Sequence, residues 1–453
     1  MINIKSDSRK VKPGDIFVAL NGIKSNGEDY IDMAIQNGAS QVIVESDNKY
    51  SVPTTKVSNT REYLTKYLEE NYNKYLNEMN IIGITGTNGK TTSCFLIYQA
   101  LNILNNKCAY IGTIGFYLDK KVMALPNTSP DICEIYDMLV TAYEKGYKNV
   151  VMEVSSQGLD MGRIGNINFD FAIFTNLTQD HLDYHKTMEN YALAKRGLFD
   201  RVKENGISIL NSDDSKYELY KTKTTKYYGL NGKDYQITSY NLGYKTEFEL
   251  KIDKLVYKFN SKLIGMFNIY NLTCMIALLH LMNYDIETII KVTEEVSAPP
   301  GRMDIVYYKD NIIAIDYAHT PDAMKNVYDL VNEIKQGKIY TVFGCTGSRD
   351  RTKRPIMMNL ATTNSNYSII TSDDLHDEEF DDIVKDMLEN NTNNNYEVIE
   401  NRGLAIKKAI SLLKEKDILL ILGKGHETSI IVKNENIPFN DREETEKIIK
   451  EME

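Results

Sequence analysis

Residues 83 to 92 read Gly-Ile-Thr-Gly-Thr-Asn-Gly-Lys-Thr-Thr, and the reading of this run decides the fold. A glycine-rich turn ending in Lys-Thr is how a backbone cradles a chain of phosphates. The glycines allow close approach, and the loop N–H groups face phosphate oxygens. Lys90 reaches the β- and γ-phosphates, and the Thr91 hydroxyl can ligate Mg2+. Upstream, Asn80 to Ile84 reads as a short apolar strand. Downstream, Cys94, Phe95, Ile97, Leu101 and Leu104 recur at helical spacing. A loop between strand and helix is the setting in which this chemistry works. ATP binding through Gly86, Thr87, Asn88, Gly89, Lys90, Thr91 and Thr92 is therefore expected. The run departs from the usual phosphate loop at Ile84, where a first glycine would fall. Glycine turns also occur at strand ends for steric reasons alone, but the Lys-Thr ending favours phosphate.

Working outward, apolar strands at Asn149–Val154 and Phe169–Asn176 with a helical stretch at Asp131–Glu144 give the alternation of a mostly parallel sheet, which holds nucleotides at its strand C-terminal ends. Before residue 80, strand-like runs at Asp15–Leu20 and Gln41–Glu45 flank a helix-like Tyr30–Asn37. After Pro299-Pro300-Gly301, read as a hinge, strands at Ile312–Asp316, Ile339–Gly344, Tyr367–Thr371 and Asp417–Gly423 alternate with helices. The expected fold is α/β in three domains: 1–79 small, 80–298 central and P-loop ATPase-like, 299–453 Rossmann-like. A chain of 453 residues supports that number of cores.

A net charge of −10 argues against a general nucleic-acid partner. No apolar run approaches the ~18 residues of a membrane span, and residues 1 to 10 carry no apolar leader. Cys94, Cys108, Cys133, Cys274 and Cys345 lack a Cys-x-x-Cys pair, so buried thiols in a reducing cytosol are expected. The expectation is a cytoplasmic enzyme, acting as a monomer.

Further chemistry lies at strand ends. Val150-Val151-Met152 runs into Glu153-Val154-Ser155-Ser156, which places a carboxylate where Mg2+ would need one. The next strand leads into Thr175-Asn176-Leu177-Thr178-Gln179-Asp180-His181-Leu182-Asp183, then Tyr191-Ala192-Leu193-Ala194-Lys195. A lysine on a helix face is ordinarily a surface residue.

With Asp7-Ser8-Arg9, Gly301-Arg302-Met303, Asp316 to Asp322, Gly347 to Pro355 and Gly423-Lys424-Gly425-His426-Glu427, these segments resemble the Mur ligase family, ATP-dependent enzymes of cell-wall peptide synthesis, and above all its third-residue-adding type. The resemblance spans nearly the whole chain. It implies a uridine-nucleotide-binding N-terminal domain, catalytic roles for Lys90, Glu153, His181 and Lys195, and two Mg2+ ions. Thr91 and Glu153 would hold one ion, and His181 and a carbamylated Lys195 the other. Carbamylation turns an ammonium into an anion able to face a cation. Asn271, Arg302, Asp316 and His319 would complete the ATP site. Ser8, Thr128, Ser129, Ser155 and Arg163 would contact UDP-N-acetylmuramoyl-L-Ala-D-Glu. Arg349, Asp373, Asp374, His376, Gly423 and Glu427 would line the amino-acid pocket.

The largest departure lies in that pocket. Diaminopimelate-adding members carry Asp-Asn-Pro-Arg, whose arginine grips a distal carboxylate with two parallel bonds. Here the aligned run is Asp373-Asp374-Leu375-His376, and histidine has no such fork. Acidic Asp374, Asp377 and Glu378 suit a side-chain amine, so lysine or ornithine is favoured, with meso-diaminopimelate as the other acceptor. Further departures are Gln157 for histidine and Thr346-Gly347-Ser348 for Gly-Gly-Asp. The rival readings are a related ligase acting on a different carboxylate, or a non-catalytic nucleotide-binding regulator. The first lacks a reason for Asp-Ser-Arg, and the second lacks a reason to retain Thr91, Glu153, His181 and Lys195.

Overall fold

The computed structural model describes residues 2–22, 26–243, 245–433 and 435–452; the side chain of Asp183 lies outside the description. The chain forms two compact units. The first comprises Met1–Ile237, Lys251–Leu255 and Tyr270–Val292, and the second Thr238–Leu250, Val256–Ile269 and Thr293–Glu453.

In the first unit, four short parallel strands come first: Ile4–Lys5, Ile16–Val18, Gln41–Val44 and Thr54–Lys56, adjacent in that order. The first and last escape sequence reading because two or three residues without apolar alternation carry no periodic signal. The helix Thr60–Leu76 starts where the Asn59 side chain accepts the Glu62 amide, and it buries Leu64, Leu68 and Leu76. These residues join an apolar cluster that runs from Ile4, Val18 and Ile43 to Ile132, Ile135, Leu139, Val150 and Phe174. Apolar packing is thus continuous across residue 79.

The central strands of this unit lie in the order Thr225–Gly229, Val202–Asn211, Phe169–Phe174, Asn80–Thr85, Asn149–Glu153, Cys108–Gly112, then the strands Gly115–Tyr117 and Lys121–Met123. The first six are parallel, and their middle members are near-continuous apolar runs because both faces are covered. Asn80–Thr85 sits between Phe169–Phe174 and Asn149–Glu153, with Thr85 opposite Phe174 and Ile84 opposite Glu153. The loops after these three strands therefore emerge side by side.

The second unit holds a six-stranded sheet in the order Asp304–Tyr308, Asn311–Asp316, Ile418–Leu422, Ile339–Phe343, Tyr367–Ile370, Tyr396–Val398. Only the first pairing is antiparallel. One face packs beneath the helices Pro321–Ile334, Lys353–Asn364 and Phe380–Met387. The other packs beneath Arg402–Leu412 and Asp441–Met452. This is the doubly wound arrangement expected from sequence.

Gly301 departs from the hinge expectation. A Cβ on it would lie 2.2 Å from the His426 amide nitrogen, and its carbonyl accepts from Tyr317 N, so it is a fixed packing point within this unit. His280 is half-buried and bonds through Nδ1 to the Tyr235 hydroxyl at 3.0 Å. All five cysteines are buried and unbridged. No helix among the described residues is long and apolar enough to cross a membrane.

Candidate active site

The phosphate loop leaves Asn80–Thr85 and enters the helix Lys90–Ile103, whose cap residue Gly89 is left-handed at φ 82°. A glycine cap brings no side chain to the first helical amides, at the end of a helix that favours an anion. Gly86 packs still more closely: a Cβ there would come within 1.8 Å of Thr175 Oγ1. Lys90 Nζ donates to the carbonyls of Gly86 and Thr87, each at 2.8 Å, folding the lysine back over the loop. Asn271 is buried behind the loop, where its Oδ1 accepts from Ser93 Oγ at 3.0 Å and lies 2.6 Å from where a Gly89 Cβ would be. The structure thus seats Asn271 as a support of the loop.

Beside the loop, Thr91 Oγ1 donates to Glu153 Oε2 at 2.9 Å. Glu153 is fully buried, and a Cβ on Gly112 would meet its Oε1 at 2.3 Å, so the carboxylate occupies a cradle that only glycine leaves open. A hydroxyl and a carboxylate are hard oxygen donors, the set that Mg2+ selects, and the residues fit that ion.

Lys195 is 1% exposed, contrary to the surface position usual for such a residue, because the helix Met188–Phe199 turns this face inward. Its Nζ donates to Gly86 O at 2.8 Å and lies 4.2 Å from the Tyr191 ring centre. Burial, then the nearby Lys90 ammonium, hold its pKa well below that of an ordinary lysine. His181 sits on an exposed loop at φ 52°, its ring 6.1 Å from the same Tyr191 ring. Both proposed ligands thus neighbour the Tyr191 ring.

Two cavities share Pro126, Asn127 and Arg163 in their walls. The larger, about 730 Å3, runs past Ser8, Arg9, Tyr30 and Arg61; the smaller, about 310 Å3, reaches Thr128, Ser129, Ser155, Gln157 and His181. Every predicted contact of the sugar nucleotide thus lies along one groove. Several of these hydroxyls also hold the groove together. Ser129 Oγ receives the Ser155 amide at 3.0 Å, Ser155 Oγ caps the next helix through Gly158 N at 3.1 Å, and Ser8 Oγ reaches Met33 Sδ at 3.3 Å. Arg61 was not legible from sequence: its Nη2 bonds to Asp131 at 3.2 Å, a pairing that exists only after the helix Thr60–Leu76 docks.

In the second unit, Asp316 accepts the amides of Met303 and Ala318 at 2.7 and 2.9 Å. Burial raises its pKa, opposed by Arg302. The Arg302 guanidinium lies 5.5 Å from the Tyr317 ring, which also packs on His319 and His426 at 4.6 and 5.1 Å. Arg302, Asp316 and His319 are thereby one cluster.

The acidic pocket is differently balanced from the sequence expectation. Lys424, fully buried, donates to Asp374 Oδ1 at 2.9 Å and Glu427 Oε2 at 2.8 Å, with Asp373 at 3.7 Å. Burial pulls its pKa down, but Asp373 and Glu427 outweigh that and leave it raised. Asp373, Asp374 and Glu427 could by spacing hold a metal ion, yet the Lys424 ammonium already supplies the cation. Glu378 is also engaged, bonding to Arg354 at 2.8 and 2.9 Å. The surplus charge offered for a substrate amine is therefore smaller than residue counting implies. Gly423, at φ 113°, places its missing Cβ 2.5 Å from Asp373 Oδ2. His376 is left-handed at φ 49° and tied by its backbone to Ile431 and Lys433. Arg349 is exposed.

A phosphate loop, a threonine bonded to a buried glutamate and a long groove on one parallel sheet, followed by a doubly wound unit, define an ATP-dependent ligase class, and comparison gives the family. Residues 2–83 match the Mur ligase family catalytic domain, 84–279 the Mur ligase middle domain and 301–425 the Mur ligase glutamate ligase domain. The chain belongs to the Mur ligase family. It is 37% identical over 457 residues to a UDP-N-acetylmuramoyl-L-alanyl-D-glutamate–2,6-diaminopimelate ligase of Bacillus cereus, covering 97% of this chain and 92% of the relative. The Aquifex aeolicus ligase of the same name is 38% identical over 452 residues, 98% and 93% covered. A solved structure of a ligase so named superposes with a TM-score of 0.73 at 29% identity, over 99% of this chain and 95% of that one. The fold is shared with a MurF ligase from Thermotoga maritima, TM-score 0.66 at 18% identity over 100% and 98%.

Proposed function

We propose that this ligase couples ATP cleavage to amide-bond formation between UDP-N-acetylmuramoyl-L-Ala-D-Glu and 2,6-diaminopimelate, as a cytoplasmic monomer in peptidoglycan precursor synthesis. The observation that carries the reading is the groove whose wall includes Thr113 and His181, with Thr113 bonded to Glu153 and Glu153 to Thr91 of the phosphate loop, within one compact unit. The division of labour is 1–79 for the uridine end, 80–298 for ATP and the sugar-peptide, and 299–453 for the incoming amino acid.

The start of the helix Lys90–Ile103 and the Lys90 ammonium orient the triphosphate, while the Thr87 and Asn88 amides, donated to Asn176, hold the loop in shape. Arg163 with Ser155 orients the dipeptide. Its terminal carboxylate then attacks the γ-phosphorus in line, releasing ADP and leaving an acyl phosphate. The amine of the amino acid next attacks the acyl carbon and phosphate leaves. Thr91 and Glu153 would hold one Mg2+, and His181 with carbamylated Lys195 a second; when bound, such ions neutralise the charge that keeps carboxylate and phosphate apart. The depressed basicity of Lys195 suits carbamylation, since only the neutral amine adds CO2. Arg302, Asp316, His319 and Asn271 complete the nucleotide site. Arg349 takes the amino acid's α-carboxylate, while Asp373, Asp374, His376, Gly423 and Glu427 surround its side chain.

Relatives named for 2,6-diaminopimelate replace lysine or ornithine as the expected acceptor, and the Lys424 and Arg354 pairings remove much of the charge argument for those two. The test is phosphate release from ATP with UDP-N-acetylmuramoyl-L-Ala-D-Glu and each acceptor. Turnover only with diaminopimelate supports the reading. Turnover only with lysine or ornithine overturns the acceptor, and none with any acceptor overturns the substrate.

A further inference from the structure

The two oxygens of Glu153 are held in unlike ways. Oε1 accepts from the Tyr110 hydroxyl at 2.5 Å and from the Thr113 amide at 2.9 Å. Oε2 accepts from the Thr91 and Thr113 hydroxyls at 2.9 and 3.1 Å. A backbone amide can only donate, so it stays committed to Oε1. A threonine hydroxyl can rotate its hydrogen away and present a lone pair. Oε1 is therefore saturated, and Oε2 is the oxygen whose partners can turn toward a cation.

Tyr110 is placed for this by the sheet. It pairs with Val151 on the neighbouring parallel strand, which makes Glu153 its diagonal neighbour on the same face. Its ring is fully buried in a box formed by Phe95, Tyr98 and Tyr117 at centroid distances of 5.8, 6.3 and 5.7 Å. Gly112 leaves the necessary gap: a Cβ there would stand 2.3 Å from Glu153 Oε1 and 2.5 Å from the Tyr110 hydroxyl.

We propose that Tyr110 is a positioning residue for the divalent cation: its phenol, with the Thr113 amide, locks Oε1 of Glu153 so that Oε2 alone, beside the Thr91 hydroxyl, is presented to the metal. The proposal rests on the reading of Thr91 and Glu153 as ligands. Partners behind a metal ligand fix its orientation, and their loss typically weakens metal affinity about 10- to 100-fold.

The experiment titrates Mn2+ into the full-length protein with ADP and follows free Mn2+ by electron paramagnetic resonance. Tyr110→Phe keeps every ring contact and removes only the hydroxyl. Tyr98→Phe is its control, losing a buried phenol bond to Leu118 O from the same box without touching Glu153. Glu153→Gln tests the underlying reading. Expected are a large loss for Glu153→Gln, about tenfold weaker binding for Tyr110→Phe, and no change for Tyr98→Phe. Unchanged affinity in Tyr110→Phe, or an equal loss in Tyr98→Phe, overturns the role of Tyr110 alone. Unchanged affinity in Glu153→Gln overturns the ligand reading and the proposal with it.

Discussion

Gly86 and Lys195 show how differently single residues announce themselves. Gly86 belongs to a run whose chemistry is local, so its role was legible: a Cβ would strike Thr175 Oγ1 at 1.8 Å on a backbone at φ 154°. Gly86→Ala is expected to cost about 3 kcal/mol from crowding and strain together; a denaturant midpoint equal to that of the parent protein would contradict this. Lys195 is singled out by family likeness and not by its sequence surroundings, because a lysine on a helix looks solvated until the helix is docked. Lys195→Ala is expected to lower phosphate release on the order of 100-fold, with partial recovery in acetate or formate. An Ala variant that keeps full activity would remove the carbamate from the mechanism. Tyr110 gave no signal at all, since its partner lies 43 residues away on another strand.

At the scale of elements, strand and helix positions in both parallel sheets were readable from apolar runs, while the short strands Thr54–Lys56 and Tyr396–Val398 were not. The loop carrying Arg349 shows what sequence cannot give. Glu378 accepts the Ser348 amide at 2.5 Å and both terminal nitrogens of fully buried Arg354, whose Nη1 also reaches Asp386 at 2.7 Å. The acids of this region read as pocket charge in sequence, yet Glu378 braces the loop to the helix Phe380–Met387. Its bonds with Arg354 hold its pKa at about 2, below the ordinary 4.5. A depressed carboxylate contributes fully above its unfolded value and loses that contribution as pH falls. Stability from this brace should therefore decline between pH 4.5 and about 2. Arg354→Met should flatten that decline and cost about 2 kcal/mol at neutral pH, a modest figure because both carboxylates keep partial solvent contact. Melting curves across that pH range measure both effects, and identical profiles for the two proteins would refute the brace.

At the scale of the molecule, the succession of segments was legible because each carries its own motif, whereas their packing was not. The cluster joining Ile4, Val18, Leu64 and Leu68 to Ile132, Leu139 and Phe174 crosses residue 79 without a break. A chain begun at Asn80 should therefore expose that face of the helix Ile132–Glu144 and aggregate; a soluble monomer with a cooperative melt would show the opposite. Lys5–Asp137 at 2.7 Å and Arg61–Asp131 at 3.2 Å add polar ties between the same segments.

This common interior governs how the larger cavity can be filled. Where the described walls are anchored in that one interior, as at Leu20 and the helices bearing Arg61 and Asp131, they stand formed before a ligand arrives, so a sugar nucleotide held as proposed would meet a standing berth. Encounter alone then sets the speed of docking. The observed binding rate should climb in proportion to ligand concentration, with no plateau to mark a slow rearrangement beforehand.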